Sequence, residues 1–376
     1  MKLLSIGNDR NIFDEKSAVR LRQIGYGAFC EELHLIVFTK KTFQKKQELK
    51  ISEKVFLHPT ASVSRFFYVF DAIRIGSEIV KKYRLERKDS LITCQDPFEA
   101  GFVGWMIAKN FNLKLHLQVH TDFLSPYFVK DSFLNTLRVL LAKFVLKKAS
   151  GIRVVSEKIK SSIEKELTIQ QSKIEVLPIY VDAEMIQNHI PQTDLHKKYP
   201  QFEKTVLMMS RLEQEKNIPL SLGVFAEVVK KFPKTGLIIV GSGSKLTSLV
   251  ESVLKNNLKQ NVVFESWSAD PLSYLKTADL FLLTSDYEGY GLTLVEAALS
   301  NCPIISTDVG IASQLSLLGK CSVFPVGDAK SLQEKVEEFL QNDRKDFTIE
   351  KKLEGLVYDK ADYAKRFEEN LRRALG

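Results

Sequence analysis

Cysteine is scarce in this 376-residue sequence, which has four cysteines and no C-x-x-C pair. Zinc knuckles and redox pairs typically use that spacing, so neither kind of site is expected. Widely separated cysteines are typical of the reduced core of a cytosolic protein, and we interpret them in that way. They are Cys30, Cys94, Cys302 and Cys321.

Long apolar runs are missing as well. No stretch reaches the ~18 apolar residues that a membrane-spanning helix needs. The first ten residues, MKLLSIGNDR, contain a short apolar run but not the hydrophobic region of a signal peptide. These two absences predict a cytoplasmic protein.

Low-complexity segments are also absent, and 44% hydrophobic with 27% charged residues is a globular composition. A chain of 376 residues is too long for one ordinary core. Two domains of about 150–200 residues each are therefore expected.

Positive charge exceeds negative charge by 8, and the excess is unevenly distributed. Residues 1–180 contain 30 Lys and Arg against 19 Asp and Glu, a balance of +11, whereas the remainder contains 24 against 27, a balance of −3. This asymmetry indicates that the first half faces an anionic partner. The densest basic stretches, residues 39–50 and 81–88, are either solvated faces or sites for anionic lipid head groups. No nucleic-acid reader motif accompanies them, so nucleic acid is not an expected partner.

Short apolar strands alternate with amphipathic helical stretches along nearly the whole chain. Such β–α–β alternation predicts an α/β architecture of parallel sheets with helices on both faces. A pause near residues 178–182 divides it into two Rossmann-like, doubly wound domains, residues 1–180 and 183–355, that face a central cleft. The first helical stretch predicts an apolar face made by Ala18, Leu21, Ile24 and Ala28.

The segment SDYEGYGLTLVEA, residues 285–297, directly follows a predicted strand. Ligands of open parallel sheets gather beyond the carboxyl ends of strands, where Gly289 and Gly291 permit a close backbone approach. A helix beginning near Leu292 would point its positive dipole end at the same place. Glu288 and Glu296 are then either an acid–base pair, as in glycoside hydrolysis, or part of a ligand cradle for sugar or ribose hydroxyls. The simpler interpretation is that Glu288 is an ordinary surface glutamate and Glu296 an ordinary helical one.

Two cations, Arg211 and Lys216, lie just beyond another predicted strand, residues 205–210. Charge-assisted hydrogen bonds of this kind contribute ~1.5–3 kcal/mol each and can neutralise a diphosphate without a metal. A solvated charged loop is the alternative. His120 ends a strand of the first domain, and it is either a structural histidine or a ligand contact on the cleft side.

The segment VGSGSKL, residues 240–246, is similar to the glycine-rich turn of nicotinamide-dependent oxidoreductases. Position 246 is Leu, so the third glycine of G-x-G-x-x-G is missing and a structural tight turn is favoured. Glu265 lies near the position expected for a ribose-binding acid, so the oxidoreductase remains an alternative. It leaves the segment around Glu288 and Glu296 without a role.

Together these residues resemble a known family. SDYEGYGLTLVEA resembles the E-x7-E signature of retaining glycosyltransferases of the GT4 type (glycosyl transferases group 1), which have the GT-B fold. SRLEQEKN, residues 210–217, resembles that family's segment with an arginine and a lysine. LQVHTDFLS, VVSEKIK, VLPIYVD and TDVG occur in the family's order, so the resemblance covers nearly the whole chain.

The resemblance implies an enzyme that moves a sugar, with retention, from a UDP- or GDP-linked nucleotide sugar to a glycan or lipid-linked acceptor. It implies that the enzyme needs no cofactor, that it acts in the synthesis of cell-envelope polysaccharide, and that it lies peripherally at the inner face of the membrane. It also implies that the last helix, about 358–376, packs back on the first domain. No Asp-x-Asp motif is present, since Asp270, Asp279 and Asp286 are isolated, so metal independence is expected. A nucleotide-sugar epimerase of the same fold and a non-catalytic anionic-ligand binding protein remain alternatives.

The resemblance also implies a role for each candidate residue. Arg211 and Lys216 would bind the diphosphate. Glu288 would bind the transferred sugar and the phosphates together with the backbone of Gly289, Tyr290, Gly291 and Leu292. Glu296 would bind the ribose, and His120 would contact the donor sugar. Gly7 stands alone where the family often has two glycines, in a loop expected to shape the acceptor side, so the acceptor is not identified.

Overall fold

The structure is a computed structural model that describes residues 1–43, 48–342, 353 and 355–376. Residues 44–47 of the basic stretch 39–50 lie outside the described residues, as do 343–352 and 354 near the predicted end of the second domain. The chain divides into two compact units. The N-terminal unit comprises Met1–Leu124, Ser132–Leu177 and Ala361–Gly376, and the C-terminal unit comprises Ser125–Asp131 and Pro178–Lys360.

In the described part of the chain, the N-terminal unit is built on an eight-stranded sheet with the strand order β3-β4-β2-β1-β5-β6-β7-β8. Among its described strands, β3 and β4 pair antiparallel and the other neighbours pair parallel. The strands are β1 Lys2–Gly7, β2 Glu32–Val37, β3 Leu49–Lys50, β4 Val55–Pro59, β5 Ser90–Cys94, β6 Lys114–Val119, β7 Gly151–Val154 and β8 Ile174–Val176.

Helices cover both faces of this sheet. A crossover between parallel strands is right-handed, so the helices that lead to β5, β6, β7 and β8 share one face and α1 lies on the other. The helices of the first stretch of chain are α1 Ala18–Tyr26, α2 Tyr68–Lys82, α3 Glu99–Phe111, α4 Pro126–Asp131, α5 Phe133–Leu146 and α6 Glu157–Glu166. Of these, α4 belongs to the C-terminal unit.

The predicted apolar face of α1 is wrong. Ala18, Leu21 and Ala28 are exposed, whereas Tyr26 is buried. The ring of Tyr26 packs against Phe367 of the last helix, with ring centroids 4.5 Å apart. A contact partner more than 300 residues away overrides the local periodicity, and no local window of sequence can show it.

The last helix, Lys360–Leu375, packs on the N-terminal unit. The buried Arg153 of β7 donates a hydrogen bond to the hydroxyl of Tyr363 (2.7 Å). The ring of His116 in β6 is 2.8 Å from the side-chain oxygen of Asn370. Burial lowers the pKa of His116 to about 3, so a neutral ring forms this contact.

The C-terminal unit has a six-stranded, all-parallel sheet with the order β11-β10-β9-β12-β13-β14 among its described strands. The strands are β9 Lys204–Met209, β10 Thr235–Val240, β11 Val262–Glu265, β12 Leu280–Leu283, β13 Ile304–Thr307 and β14 Ser322–Phe324. The helices are α7 Ala183–Asn188, α8 Leu195–Lys198, α9 Ile218–Lys231, α10 Leu246–Lys255, α11 Pro271–Thr277, α12 Leu292–Leu299, α13 Ala312–Leu317 and α14 Ala329–Gln341; the last helix is α15. An apolar core that includes Val206, Phe225 and Leu280 joins α9, α10 and α14 to the sheet.

The predicted α/β class, with two doubly wound parallel-sheet domains, is confirmed. All four cysteines are buried and free, as predicted for core residues. Within the described ranges, no helix has both the length and the apolar character needed to cross a bilayer.

Candidate functional site

The strand order of the C-terminal unit reverses between β9 and β12. From β9 the chain winds towards β11, and from β12 it winds the opposite way towards β14. Loops at such a switch point separate from each other and leave a crevice at the carboxyl ends of the strands. The loop after β9 contains Arg211 and Lys216, and the loop after β12 contains Glu288, so these candidates lie at the switch point.

Lys216 and Glu288 form an ion pair, with Nζ and Oε1 2.6 Å apart. Their side chains are only 13% and 16% exposed. The hydroxyl of Ser285 donates a second hydrogen bond to the same carboxylate oxygen, at 2.8 Å. Arg211 lies in the same loop as Lys216, but it is 72% exposed and its guanidinium pairs with Glu215 at 2.6 Å.

Hydrogen bonds hold the two loops together. The Asn217 side chain donates to the carboxylate of Asp286 (2.8 Å), and the Asp286 N–H donates to the carbonyl of Glu215 (2.8 Å). The hydroxyl of Thr284 donates to the carbonyls of Lys216 and Asn217, both at 3.1 Å. The position of Lys216 relative to Glu288 is therefore fixed by backbone contacts and by the ion pair together.

Helix α12 begins at the end of this loop without a capping side chain. Its N-cap is Gly291, with a φ of +89° that L-residues rarely adopt. The first-turn N–H groups therefore point to the switch point without a capping side chain between them and a ligand. Two hydrogen bonds fix the loop before α12. The Tyr290 hydroxyl donates to the carbonyl of Leu356 (2.9 Å), and the Ile311 N–H donates to the carbonyl of Tyr290 (3.0 Å).

Glu296 lies one turn into α12 and is half-buried. Burial raises the pKa of its carboxyl group to about 7. Within the part of the chain that the structure describes, the carboxylate of Glu296 has no hydrogen bond or ion pair. A half-buried carboxylate without a protein partner is able to accept hydrogen bonds from the hydroxyl groups of a ligand.

This burial predicts a stability change for Glu296→Gln. An acid whose pKa rises on folding stabilises the fold while it is protonated, and this stabilisation is lost as pH rises from the unfolded value, about 4.5, through about 7. We therefore expect Glu296→Gln to stabilise the ligand-free protein by about 3 kcal/mol at pH 8.5 and by less than about 1 kcal/mol at pH 5. Urea unfolding at the two pH values measures the difference. Glu251→Gln, on the exposed face of α10, is the control, and equal effects of Glu296→Gln at both pH values would contradict the assignment.

The structure also identifies a contact that the sequence analysis missed. The hydroxyl of Tyr287 donates to the carboxylate of Asp131 (2.6 Å), and its ring packs edge-on against Phe128, with centroids 5.5 Å apart. These contacts explain why residues 125–131 belong to the C-terminal unit, although the sequence placed them in domain 1–180. No local pattern announces a partner that lies 156 residues away.

His120 belongs to the N-terminal unit, where it follows β6. Burial lowers the pKa of its ring to about 3, so the ring is neutral at physiological pH. Its Nε2 lies 3.4 Å from the side-chain oxygen of Gln118. A contact of His120 with the donor sugar stays a prediction. In the same unit, a small pocket at the carboxyl ends of β1, β2 and β5 is lined by residues that include Gly7, Asp9 and Gln95.

The glycine-rich turn after β10 has a packing role. A Cβ atom at Gly241 would lie 1.9 Å from the carbonyl oxygen of Ser210, and one at Gly243 would lie 2.3 Å from that of Leu212. These glycines let the turn pack against the loop that contains Arg211. Glu265, the acid that an oxidoreductase would use, is instead bonded to the side chains of Lys198, Tyr199 and Tyr274.

Acidic and imidazole side chains are dispersed over the molecule. Among the described residues, no group of three or more His, Cys, Asp or Glu side chains is placed to hold a metal ion. The groups that the structure places at the switch point are the cations Arg211 and Lys216, the carboxylate of Glu288 and the N-terminus of α12.

Two parallel-sheet α/β units, the second with this arrangement at its switch point, define a fold of the GT-B class. Residues 192–354 match the model of the family Glycosyl transferases group 1. The predicted resemblance to this family is therefore confirmed.

Named relatives agree with the family match. The chain is 26% identical over 264 residues to an uncharacterized glycosyltransferase of Methanocaldococcus jannaschii, covering 68% of this chain and 64% of the relative. It is 29% identical over 242 residues to the alpha-monoglucosyldiacylglycerol synthase of Streptococcus pneumoniae, covering 61% and 53%. These matches span between half and two thirds of the relatives' own length.

A solved structure shows the same fold. The HepE protein of Anabaena, in complex with UDP-glucose, matches with a TM-score of 0.69 and 19% identity, covering 99% of this chain and 95% of that one. At this identity the likeness describes the fold alone.

Proposed function

We propose that the protein is a retaining, metal-independent glycosyltransferase that takes a sugar from a nucleotide diphosphate sugar. The observation that carries the proposal is the pairing of Lys216 with Glu288 at the switch point of the C-terminal sheet, in front of the uncapped N-terminus of α12. A cation and a helix N-terminus suit a diphosphate, and a carboxylate beside them suits sugar hydroxyls.

The reaction breaks the bond between the anomeric carbon of the sugar and the diphosphate oxygen. Negative charge then develops on the leaving diphosphate, where Lys216, Arg211 and the first-turn N–H groups of α12 stabilise it, as donors aimed at developing charge do. Glu288 accepts hydrogen bonds from the sugar and Glu296 from the ribose. The acceptor hydroxyl loses its proton to an oxygen of the donor phosphate, and the acceptor oxygen forms the new bond on the same face of the sugar.

The acceptor we propose is a glycan or a lipid-linked saccharide of the cell envelope, with the protein peripheral at the inner face of the membrane. The Streptococcus pneumoniae relative is named as the synthase of a glycolipid, which supports a lipid-linked acceptor. The excess of Lys and Arg in residues 1–180 supports an anionic surface on that side. The Anabaena protein was solved with UDP-glucose, so UDP-linked donors are tested before GDP-linked ones.

Nucleotide binding tests this proposal directly. A ligand at 100 times its Kd stabilises the folded state by about 2.7 kcal/mol, so UDP is expected to raise the Tm by several degrees. GDP and ADP are expected to have smaller effects and NADH none. Excess EDTA is expected to leave both the UDP shift and the turnover of UDP-sugars unchanged.

Three outcomes would contradict the proposal. A rise in Tm with NADH and not with UDP would support the oxidoreductase, because that enzyme requires a dinucleotide site. Loss of turnover in EDTA, restored by Mg²⁺, would overturn metal independence. Conversion of the nucleotide sugar to its epimer without loss of the nucleotide would identify an epimerase.

A further inference from the structure

One helix of the N-terminal unit exposes a continuous apolar stripe. Along α5, Phe133, Leu137, Leu140 and Phe144 recur every three or four residues and therefore lie on one face. Their side chains are 80%, 49%, 62% and 42% exposed. The opposite face of α5 packs inward through Ala142, Val145 and Leu146. An apolar stripe of this length in solvent marks an interaction surface.

The charges along this helix are of one sign. Residues 132–150 contain no Asp or Glu and four basic residues, Arg138, Lys143, Lys147 and Lys148. The first two pair with Glu99 and Glu166. Lys147 and Lys148 are exposed, and within the described residues neither has a carboxylate partner. Both follow Phe144 within one helical turn, and the ammonium group of Lys148 lies 5.6 Å from the ring of Phe144.

The stripe begins near the edge of the unit where ligands of parallel sheets bind, and its lysine end lies towards the opposite edge, just before β7. Helix α5 begins after β6, so Phe133 lies near the carboxyl edge of the sheet. Helix α2 lies in the same layer, with α3 packed between it and α5. The segment that leads into α2 exposes Phe66 by 88%, and the first turn of α2 exposes Phe70 by 70%. Apolar side chains of both helices therefore project near this edge.

We propose that the apolar stripe of α5, with Lys147 and Lys148 at its end, docks onto an anionic lipid surface. An amphipathic helix with aromatic and leucine side chains on one face and lysines beside them is suited to lie in the head-group region of a bilayer. A second copy of the chain fits worse, because it would bring the uncompensated lysines of both copies to one interface. This deepens the proposed function, on which it rests for the lipid-linked acceptor.

Helix α5 thereby joins the predicted basic stretches as a proposed surface for lipid. In the stretch 81–88, Lys82 pairs with Glu48 and Lys88 pairs with Glu86. These pairs reduce the charge available to lipid. Helix α10 offers a comparison, since it exposes Leu246, Val250 and Leu254 by 40%, 40% and 55% but belongs to the unit that contains the acidic excess.

Vesicle binding by the full chain tests the proposal. Sedimentation with vesicles of phosphatidylcholine and 30% phosphatidylglycerol is compared for wild type and three variants. The stripe variant is Phe133→Gln/Leu137→Gln/Leu140→Gln, the charge variant is Lys147→Gln/Lys148→Gln, and the matched control is Leu246→Gln/Val250→Gln/Leu254→Gln. All eight positions carry solvent-exposed side chains, so folding should persist, and UDP thermal shifts check it.

We expect wild type to bind the anionic vesicles and the stripe variant to lose affinity about tenfold or more. The charge variant should lose about 20-fold, since each lysine near an anionic surface contributes a factor of roughly five. The α10 control should bind like wild type.

Equal binding by the stripe variant and wild type, or failure of wild type to bind, overturns the proposal. Dimeric wild type and a monomeric stripe variant, with unchanged vesicle binding, would assign the stripe to a second copy instead. If UDP still raises the Tm when vesicle binding contradicts the proposal, the membrane contact is wrong and the proposed function stands. If UDP does not raise the Tm of wild type, the proposed function is wrong and the vesicle result is judged separately.

Discussion

Replacing Lys216 by alanine is expected to lower kcat/KM for the nucleotide sugar about 10²–10³-fold, the usual cost of removing one donor aimed at developing charge. The ammonium group lies against Glu288 at the switch point and is nearly buried, so water does not replace it well. Arg211→Ala is expected to lose the same factor, although Arg211 is exposed and must turn from Glu215 to the diphosphate. Steady-state kinetics and UDP titration measure both effects.

Lys230→Ala is the matched control for these variants. Lys230 is exposed and pairs with Glu227 in the last turn of α9, at the end of the helix away from the switch point, and its removal should leave the rate unchanged. Lys216→Ala/Glu288→Gln should be less impaired than the product of its single variants, because the two side chains touch. Near wild-type turnover by Lys216→Ala would contradict the diphosphate assignment.

The architecture was accessible from the sequence because β–α–β alternation is a local signal. The strands Lys2–Gly7, Ser90–Cys94 and Leu280–Leu283 are apolar runs bounded by turn residues, and each forms where the pattern places it. The short strand Leu49–Lys50 was not predicted, because it depends on pairing with its neighbour β4. Local periodicity also misled the assignment of the buried face of α1, which its contact with Phe367 decides.

The site was accessible in part. Its elements could be placed because parallel strands collect loops at one edge, and this brings Lys216 to Glu288 across the switch point. The sequence could not show that these two side chains form an ion pair, nor that Tyr287 binds Asp131. Both facts depend on side-chain geometry between segments distant in the chain. The raised pKa of Glu296 likewise follows from tertiary burial and not from any neighbour in sequence.

Replacing Gly310 by alanine is expected to destabilise the C-terminal unit by about 3–5 kcal/mol, and to weaken UDP binding at least about tenfold in the protein that still folds. Gly310 has a φ of +53°, and a Cβ there would lie 2.3 Å from the carbonyl oxygen of Tyr290 and 3.3 Å from the Cβ of Glu288. Because the obstacle is backbone, relief requires movement of the loop that presents Glu288 to the ligand. Urea unfolding and UDP titration measure the two effects.

Gly319 is the control position that distinguishes the effect of this clash from the effect of backbone strain alone. Its φ is +75°, and a Cβ there would meet no heavy atom within 4 Å. Gly319→Ala should therefore cost only the strain of the left-handed conformation, about 1–2 kcal/mol, and leave UDP binding unchanged. Asparagine tolerates that conformation better than alanine, so Gly319→Asn should be nearly neutral, whereas Gly310→Asn should stay disruptive because its Cβ meets the same carbonyl. If the substitutions at Gly310 cost no more than those at Gly319, the carbonyl of Tyr290 does not confine the loop, and the rigid positioning of Glu288 is wrong.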